Sequence, residues 1–201
     1  MNQSGKRRGR LGVFGGTFDP PHIGHLVAIS EVRHALALDL VLMVVADEPW
    51  QKEDQRAVSP AADRLALVAA ALEGVDGIEP STIEIDRGGP SYTADTLEAL
   101  HQSRPSDDLF LVLGADAAAG IDTWERPERI ADLATLVVVD RPGVSVPLPD
   151  RFRWERVVSP AVDVSSTDLR VRVAEGRPID FLTPHGVVTC IDRRRLYRVG
   201  E

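Results

Sequence analysis

Gly15-Gly16-Thr17-Phe18-Asp19-Pro20-Pro21-His22-Ile23-Gly24-His25 is the stretch that decides the fold. The apolar run Leu11 to Phe14 precedes it and reads as a buried strand; the helical pattern Leu26 to Leu38 follows it. Two glycines, a threonine and two histidines therefore sit where a strand turns into a helix. In an open parallel sheet such a turn lies at the carboxyl end of the strand, where ligands bind. Glycines let the backbone approach a phosphate closely, and a helix start offers unpaired N–H groups with a partial positive charge. His22 and His25, three apart, share a helix face and add side-chain donors. The stretch is suited to holding a polyphosphate. A Gly-rich tight turn with two core histidines is the plainer reading of the same residues.

Outward from this stretch, short apolar runs alternate with helical periods, which predicts an α/β fold. Leu40 to Ala46, Leu109 to Leu113 and Leu136 to Val139 read as strands buried on both faces, Val157-Val158 as a short strand and Thr82 to Ile85 as a short alternating one. Helices are expected over Pro60 to Leu72 (with Ser59 as N-cap), Thr93 to His101, Ser166 to Ala174, and from Thr183-Pro184 to about Asp192. Met1 to Arg10 is polar and basic with no apolar core, so it is not a secretory signal. Residues 1–9 are expected to be a disordered basic tail and 10–201 one domain, helical from about 160 onward. Val144 to Pro149, rich in proline and aperiodic, is the expected mobile surface segment.

The chain has 201 residues, a net charge of −8 and one cysteine. An acidic balance argues against general nucleic-acid binding through phosphate neutralisation. No apolar run approaches the roughly 20 residues that span a bilayer. Cys190 lies in an apolar segment and reads as a small core residue, in keeping with a reducing cytoplasm. Only two lysines occur, Lys6 and Lys52, so a lysine at 52 stands out against the prevailing arginine.

Further constellations carry chemistry. Ser165-Ser166-Thr167 opens a helix with Arg170 one turn on; amides, hydroxyls and a guanidinium make an anion site, although an N-cap with a solvated arginine fits too. Gly88-Gly89-Pro90 leads to Tyr92-Thr93 at a helix start, where the dipole favours a carboxylate. Gly114 and Asp116 end a buried strand; Asp116 is placed to accept ribose hydroxyls, or to cap the turn that follows. Trp124 is an aromatic in a polar stretch. No Gly-x-Gly-x-x-Gly and no P-loop pattern occurs, Ser165-Ser166 lacks the glycines of a nucleophile elbow, and His22 with His25 has no third metal ligand at suitable spacing.

The opening stretch resembles Gly-Gly-Thr-Phe-Asp-Pro-x-His-x-Gly-His, the N-terminal motif of the nucleotidyltransferase superfamily that includes nicotinate-mononucleotide adenylyltransferase. Ser-Ser-Thr-x-x-Arg resembles its C-terminal motif, with Val164 where Ile is usual, and Pro90 to Leu97 resembles the segment that marks the nicotinate-mononucleotide branch. The resemblance runs from Leu11 to about Tyr197. It implies a Rossmann-like, doubly wound parallel sheet with a C-terminal helical portion. It implies adenylyl transfer from ATP to nicotinate mononucleotide, with Mg²⁺ bound to the nucleotide and no metal held by the protein itself. His22, His25 and Arg170 would be catalytic. Gly15, Gly16, Thr17, Phe18, Gly114, Asp116, Ser165, Ser166 and Thr167 would bind ATP. Lys52, Tyr92, Thr93, Trp124 and Arg141 would bind the mononucleotide, with amides near Tyr92-Thr93 on the pyridine carboxylate and Trp124 stacked on the ring. The expected setting is the cytoplasm, without nucleic-acid or membrane partners, and a homo-oligomer is left open. One departure stands out: Asp47-Glu48 stands where the family commonly has a small polar stretch and then Asn or Gln, whereas Pro49 and Lys52 fit its Pro-x-x-Lys. Glu48 is expected to face solvent. Nicotinamide mononucleotide as acceptor, a sister pantetheine-phosphate or cytidylyl transfer, and a nucleotide-binding sensor without catalysis are the other readings.

Overall fold

A computed structural model describes residues 7–49, 58–143 and 146–198. Six parallel strands form one sheet: β1 (Arg10–Gly16), β2 (Leu40–Val45), β3 (Ile78–Ser81), β4 (Asp108–Gly114), β5 (Ala134–Asp140) and β6 (Trp154–Val158). Their order is β3-β2-β1-β4-β5-β6. The chain moves outward one way from β1 and then returns to continue from β4. The switch point, with its crevice beyond the carboxyl ends of the strands, therefore lies between β1 and β4.

The strands read as continuous apolar runs because both faces of the sheet are covered. Alternate residues serve opposite layers. Leu11, Val13, Leu42, Val44, Leu111 and Val138 pack with Leu97 and Leu100 of α4 (Thr93–Ser103) and Ile130 of α6 (Pro127–Leu133). Phe14, Val41, Met43, Val45, Val112 and Val137 pack with Ile29 and Val32 of α1 (Ile23–Ala35) and with Val68 of α2 (Ala61–Ala71). A third cluster joins α2 to the C-terminal helices α7 (Ser166–Ala174) and α8 (His185–Arg194), through Leu67, Leu169, Val187, Cys190 and Ile191. Cys190 is thus a core residue. The C-terminal helical portion sits on α2, beside the helix that follows β1.

Thr82 to Ile85 departs from the expected strand: it opens the short helix α3 (Ile83–Arg87), and the strand is Ile78–Ser81 just before it. Pro80 is tolerated there because β3 is the edge of the sheet. Residue 84, which an Ile-Glu-Ile alternation would turn to solvent, is the buried one. Pro60 rather than Ser59 occupies the N-cap of α2. The short helix α5 (Ala115–Ala119) is capped by Gly114, so Asp116 lies inside it. Helix α6 follows an N-cap, Arg126, in the left-handed region. Residues 1–6 and 144–145 lie outside the described residues. Arg7 pairs with Asp39, and Arg8 with Asp108 at 3.2 Å. Among the described residues no helix is long and apolar enough to cross a membrane.

Candidate active site

The loop from β1 into α1 is built around Phe18. Its backbone is in the left-handed region (φ 49°), an uncommon state for a bulky residue, and its ring is buried against Phe14 and edge-on to His25, with centroids 5.6 and 5.3 Å away. A Cβ at Gly16 would lie 2.8 Å from that ring, so position 16 has room only for glycine. At Gly15 a Cβ would meet no atom within 4 Å. The absent side chain at 15 leaves space on the ligand side, whereas the one at 16 makes room for the protein itself. The Phe18 side chain belongs to the core and supports Gly16 and His25 from behind.

His22 is the N-cap of α1 and His25 its third residue. The two rings stack at 3.6 Å between centroids. The backbone N–H of His22 donates to Nδ1 of His25 at 3.1 Å. An imidazole that accepts at Nδ1 carries its proton on Nε2, so His25 is fixed as an Nε2–H donor. His22 is 9% exposed, and burial holds its pKa down to about 4. Its ring is therefore neutral at physiological pH. Among the described residues, its buried Nδ1 has no hydrogen-bond partner.

A cavity of about 130 Å³ opens beside this loop at the carboxyl ends of β1, β2 and β4. The structure brings Gly15, Gly16, Thr17, Thr93 and Trp124 together in its lining. Tyr92 caps α4 next to Thr93, and Thr93 starts the helix. Gly114 and Asp116 are exposed at the end of β4, outside the cavity, and Arg141 is exposed beyond the end of β5. Lys52 lies outside the described residues. Glu48 is exposed, as expected. The backbone N–H of Asp47 donates to Ser91 Oγ at 2.8 Å, and Ser91 N–H donates to the Glu48 carbonyl at 3.1 Å, so the chain after β2 is stitched to the start of α4.

The two distant motifs meet through hydrogen bonds. Ser165 caps α7 by accepting the Asp168 N–H at 3.1 Å, which is the plain capping role. Ser166 Oγ donates to the Pro20 carbonyl at 2.7 Å, and Arg170 donates to the Asp19 carbonyl at 2.8 Å and to Thr167 Oγ1 at 2.9 Å. Thr183 Oγ1 donates to the Pro21 carbonyl at 2.8 Å. The α7 motif and the turn before α8 thus strap the Asp19–Pro21 segment from the C-terminal side. Tyr197, just beyond α8, adds a hydroxyl donated to Asp19 Oδ1 at 2.7 Å.

Arg64 on α2 is the functional neighbour that the sequence reading left out. It is 1% exposed. It donates to the carbonyls of Ser59 (2.7 Å), Thr17 (3.1 Å) and Asp47 (2.9 Å), and to that of Ala46. One fork therefore ties the ends of β1 and β2 to the start of α2. Burial pushes the guanidinium below its usual range, while the nearby Asp19 works in the opposite direction. Helical spacing offers a signal for it: Arg64 shares a stripe with Leu67, Val68 and Ala71. Glu84 and Thr96 also line the cavity and went unnoticed. Among the described residues no three His, Cys, Asp or Glu side chains converge on a metal position.

Comparison with known proteins agrees with this construction. A family model described as cytidylyltransferase-like matches residues 13–172. A Corynebacterium kroppenstedtii protein named probable nicotinate-nucleotide adenylyltransferase is 46% identical over 94% of this chain and 90% of its own. A Streptomyces coelicolor protein of the same name is 48% identical over 93% and 100%. The chain belongs to the cytidylyltransferase-like family, in its nicotinate-nucleotide adenylyltransferase branch. The fold also matches a solved structure, the Plasmodium falciparum nicotinic acid mononucleotide adenylyltransferase complexed with NaAD, with a TM-score of 0.78 at 15% identity over 94% of this chain and 97% of that one.

Proposed function

We propose that this chain transfers the adenylyl group of ATP to the 5′-phosphate of nicotinate mononucleotide. A phosphate oxygen of the mononucleotide attacks the α-phosphorus of ATP, the bond from that phosphorus to the bridging oxygen breaks, and pyrophosphate leaves. Nicotinate adenine dinucleotide is the other product. No protein nucleophile takes part, so catalysis consists of positioning and of stabilising charge as it develops.

The observation that carries this reading is the stacked His22–His25 pair at the mouth of the β1–α1 turn, with His25 held as an Nε2–H donor. A donor whose proton is fixed on Nε2 is placed to hydrogen-bond the charge as it grows on the α-phosphate. In this reading Gly15, Gly16 and Thr17 offer backbone to the phosphates, with Phe18 contributing only its backbone. Ser165, Ser166 and Thr167 act through the amides at the start of α7, since their hydroxyls already serve internal bonds. Arg170 stands beside the leaving pyrophosphate, Gly114 and Asp116 beside the adenosine. Tyr92, Thr93 and Trp124 receive the pyridine ring, and Lys52 and Arg141 a substrate phosphate or its surroundings. Mg²⁺ would arrive bound to ATP, where it would neutralise phosphate charge.

The names of the curated relatives support nicotinate mononucleotide as acceptor. The test is pyrophosphate release with ATP and Mg²⁺, nicotinate mononucleotide against nicotinamide mononucleotide. Faster turnover of the acid is expected. Equal or reversed rates would place Asp47 and Glu48 in the specificity pocket, and no release with either would point to another acceptor or to a non-catalytic nucleotide binder.

A further inference from the structure

The cavity holds a charge that none of the motifs accounts for. Glu84 on α3 is 6% exposed and lines the cavity with Thr93, Thr96 and Trp124. Its Oε1 accepts the Thr96 hydroxyl at 2.6 Å, and Thr96 Oγ1 accepts from Arg87 Nη1 at 3.1 Å. Thr96 is itself 1% exposed, so this bond fixes the carboxyl group from a rigid helix. Among the described residues no salt bridge to Glu84 is formed: Arg87 reaches it only through the Thr96 hydroxyl, and the Arg64 guanidinium acts on it from a greater distance. A buried acceptor of this kind is costly unless a cation or further donors meet it. The open side of Glu84 is the cavity.

We infer that Glu84 is a specificity-determining residue that selects an aromatic ring bearing positive charge. A carboxylate and an indole bordering one small cavity complement a flat cation, the first by charge and the second by its π face. The ring of a pyridine mononucleotide meets that description, because its glycosidic bond makes the ring nitrogen quaternary. The inference deepens the proposed reaction and rests on it. The carboxylate of the nicotinate ring requires the opposite surroundings, which the N–H groups at the start of α4 supply. The cavity is then bipolar: an acceptor from α3 serves the ring nitrogen, and donors from α4 serve the ring substituent.

The experiment compares nicotinate mononucleotide with its 1,4-dihydro form, which keeps the shape and loses the ring charge. Values of kcat/KM for both are measured in the wild-type protein and in Glu84→Gln, with the KM for ATP alongside. Wild type should prefer the charged ring, and the variant should cut that preference about tenfold, the order expected for a partly screened ion pair. The KM for ATP should stay within about twofold. An unchanged preference, even with both rates lowered, would reduce Glu84 to a residue that holds α3 against α4 and would overturn the inference. Should wild type turn over neither compound, the reaction reading fails separately. Binding of N-methylnicotinate against 3-methylbenzoate, which keeps the carboxylate and the shape but lacks the positive ring charge, followed by NMR titration of the wild-type protein, then decides. Tighter binding of the compound with the charged ring supports the selection; equal binding contradicts it. The same titration serves if Glu84→Gln does not fold.

Discussion

Replacing Arg64 by Met should be one of the most damaging single changes in the molecule, although Arg64 touches no proposed substrate group. The guanidinium makes four hydrogen bonds to carbonyls from three separate segments. A hydrogen bond to a charged group contributes about 1.5–3 kcal/mol. Against that stands the several kcal/mol needed to take a guanidinium out of water, which is why exchanging a whole buried ion pair for apolar residues is often neutral. Here the carbonyls remain after the exchange, and those of Thr17 and Ala46 belong to buried residues. The net loss should therefore resemble that of breaking a buried pair from one side, about 3–5 kcal/mol. Arg64→Lys should recover less than half, because a single ammonium cannot reach the spread that the planar fork spans. Urea unfolding followed by tryptophan fluorescence reads both values, compared at constant slope. Loss of less than about 1 kcal/mol in either variant would refute the view that this fork holds the ends of β1 and β2 together.

Other outcomes follow from the same geometry. Gly15→Ala should leave stability within about 0.5 kcal/mol and raise the KM for ATP, because its Cβ enters open space; Gly16→Ala should cost about 1–3 kcal/mol, because its Cβ meets the Phe18 ring. Paired thermal melts and ATP titrations distinguish the two. His22 stays neutral in the folded protein down to about pH 4 while the unfolded chain protonates near 6.5. Its contribution is thus complete above 6.5 and is lost as pH falls toward 4, by at most about 3 kcal/mol. In His22→Gln that part of the pH dependence should vanish from denaturant melts taken across the window. Tyr197→Phe removes the hydroxyl that reaches Asp19 and should lower stability by about 1–2 kcal/mol, read by the same unfolding assay.

Much of the architecture was legible because the strands are apolar throughout and the β1 turn carries a dense pattern of special residues. The alternation of strands and helices gives the α/β class, whereas the strand order and the C-terminal helical portion came from the family resemblance; the contact between the two motifs is seen only in the fold. What escaped was polar and buried. Arg64 and Glu84 break the rule that charge faces water, and only their partners explain why they can. For Arg64 these partners come from segments 5 to 47 residues away, for Glu84 from Thr96 twelve residues on. The same burial misled the reading of Thr82 to Ile85: two isoleucines around a glutamate look like an alternating strand, whereas the glutamate is the residue turned inward from a helical turn. The serines and threonine of the α7 motif offer hydroxyls to an anion in one reading of the sequence and an N-cap in the other. The fold uses their hydroxyls for a cap, for the Pro20 carbonyl and for the Arg170 guanidinium, and leaves amides for an anion.

The most direct test of the account is steady-state adenylyl transfer by His25→Ala, with ATP, Mg²⁺ and nicotinate mononucleotide. The Nε2–H donor is assigned to charge that develops only as the α-phosphate is attacked. kcat should therefore fall by roughly 100-fold or more, with both KM values within about threefold of wild type. An unchanged kcat, or a loss confined to KM, would contradict the claim that the fixed His25 proton stabilises the transition state.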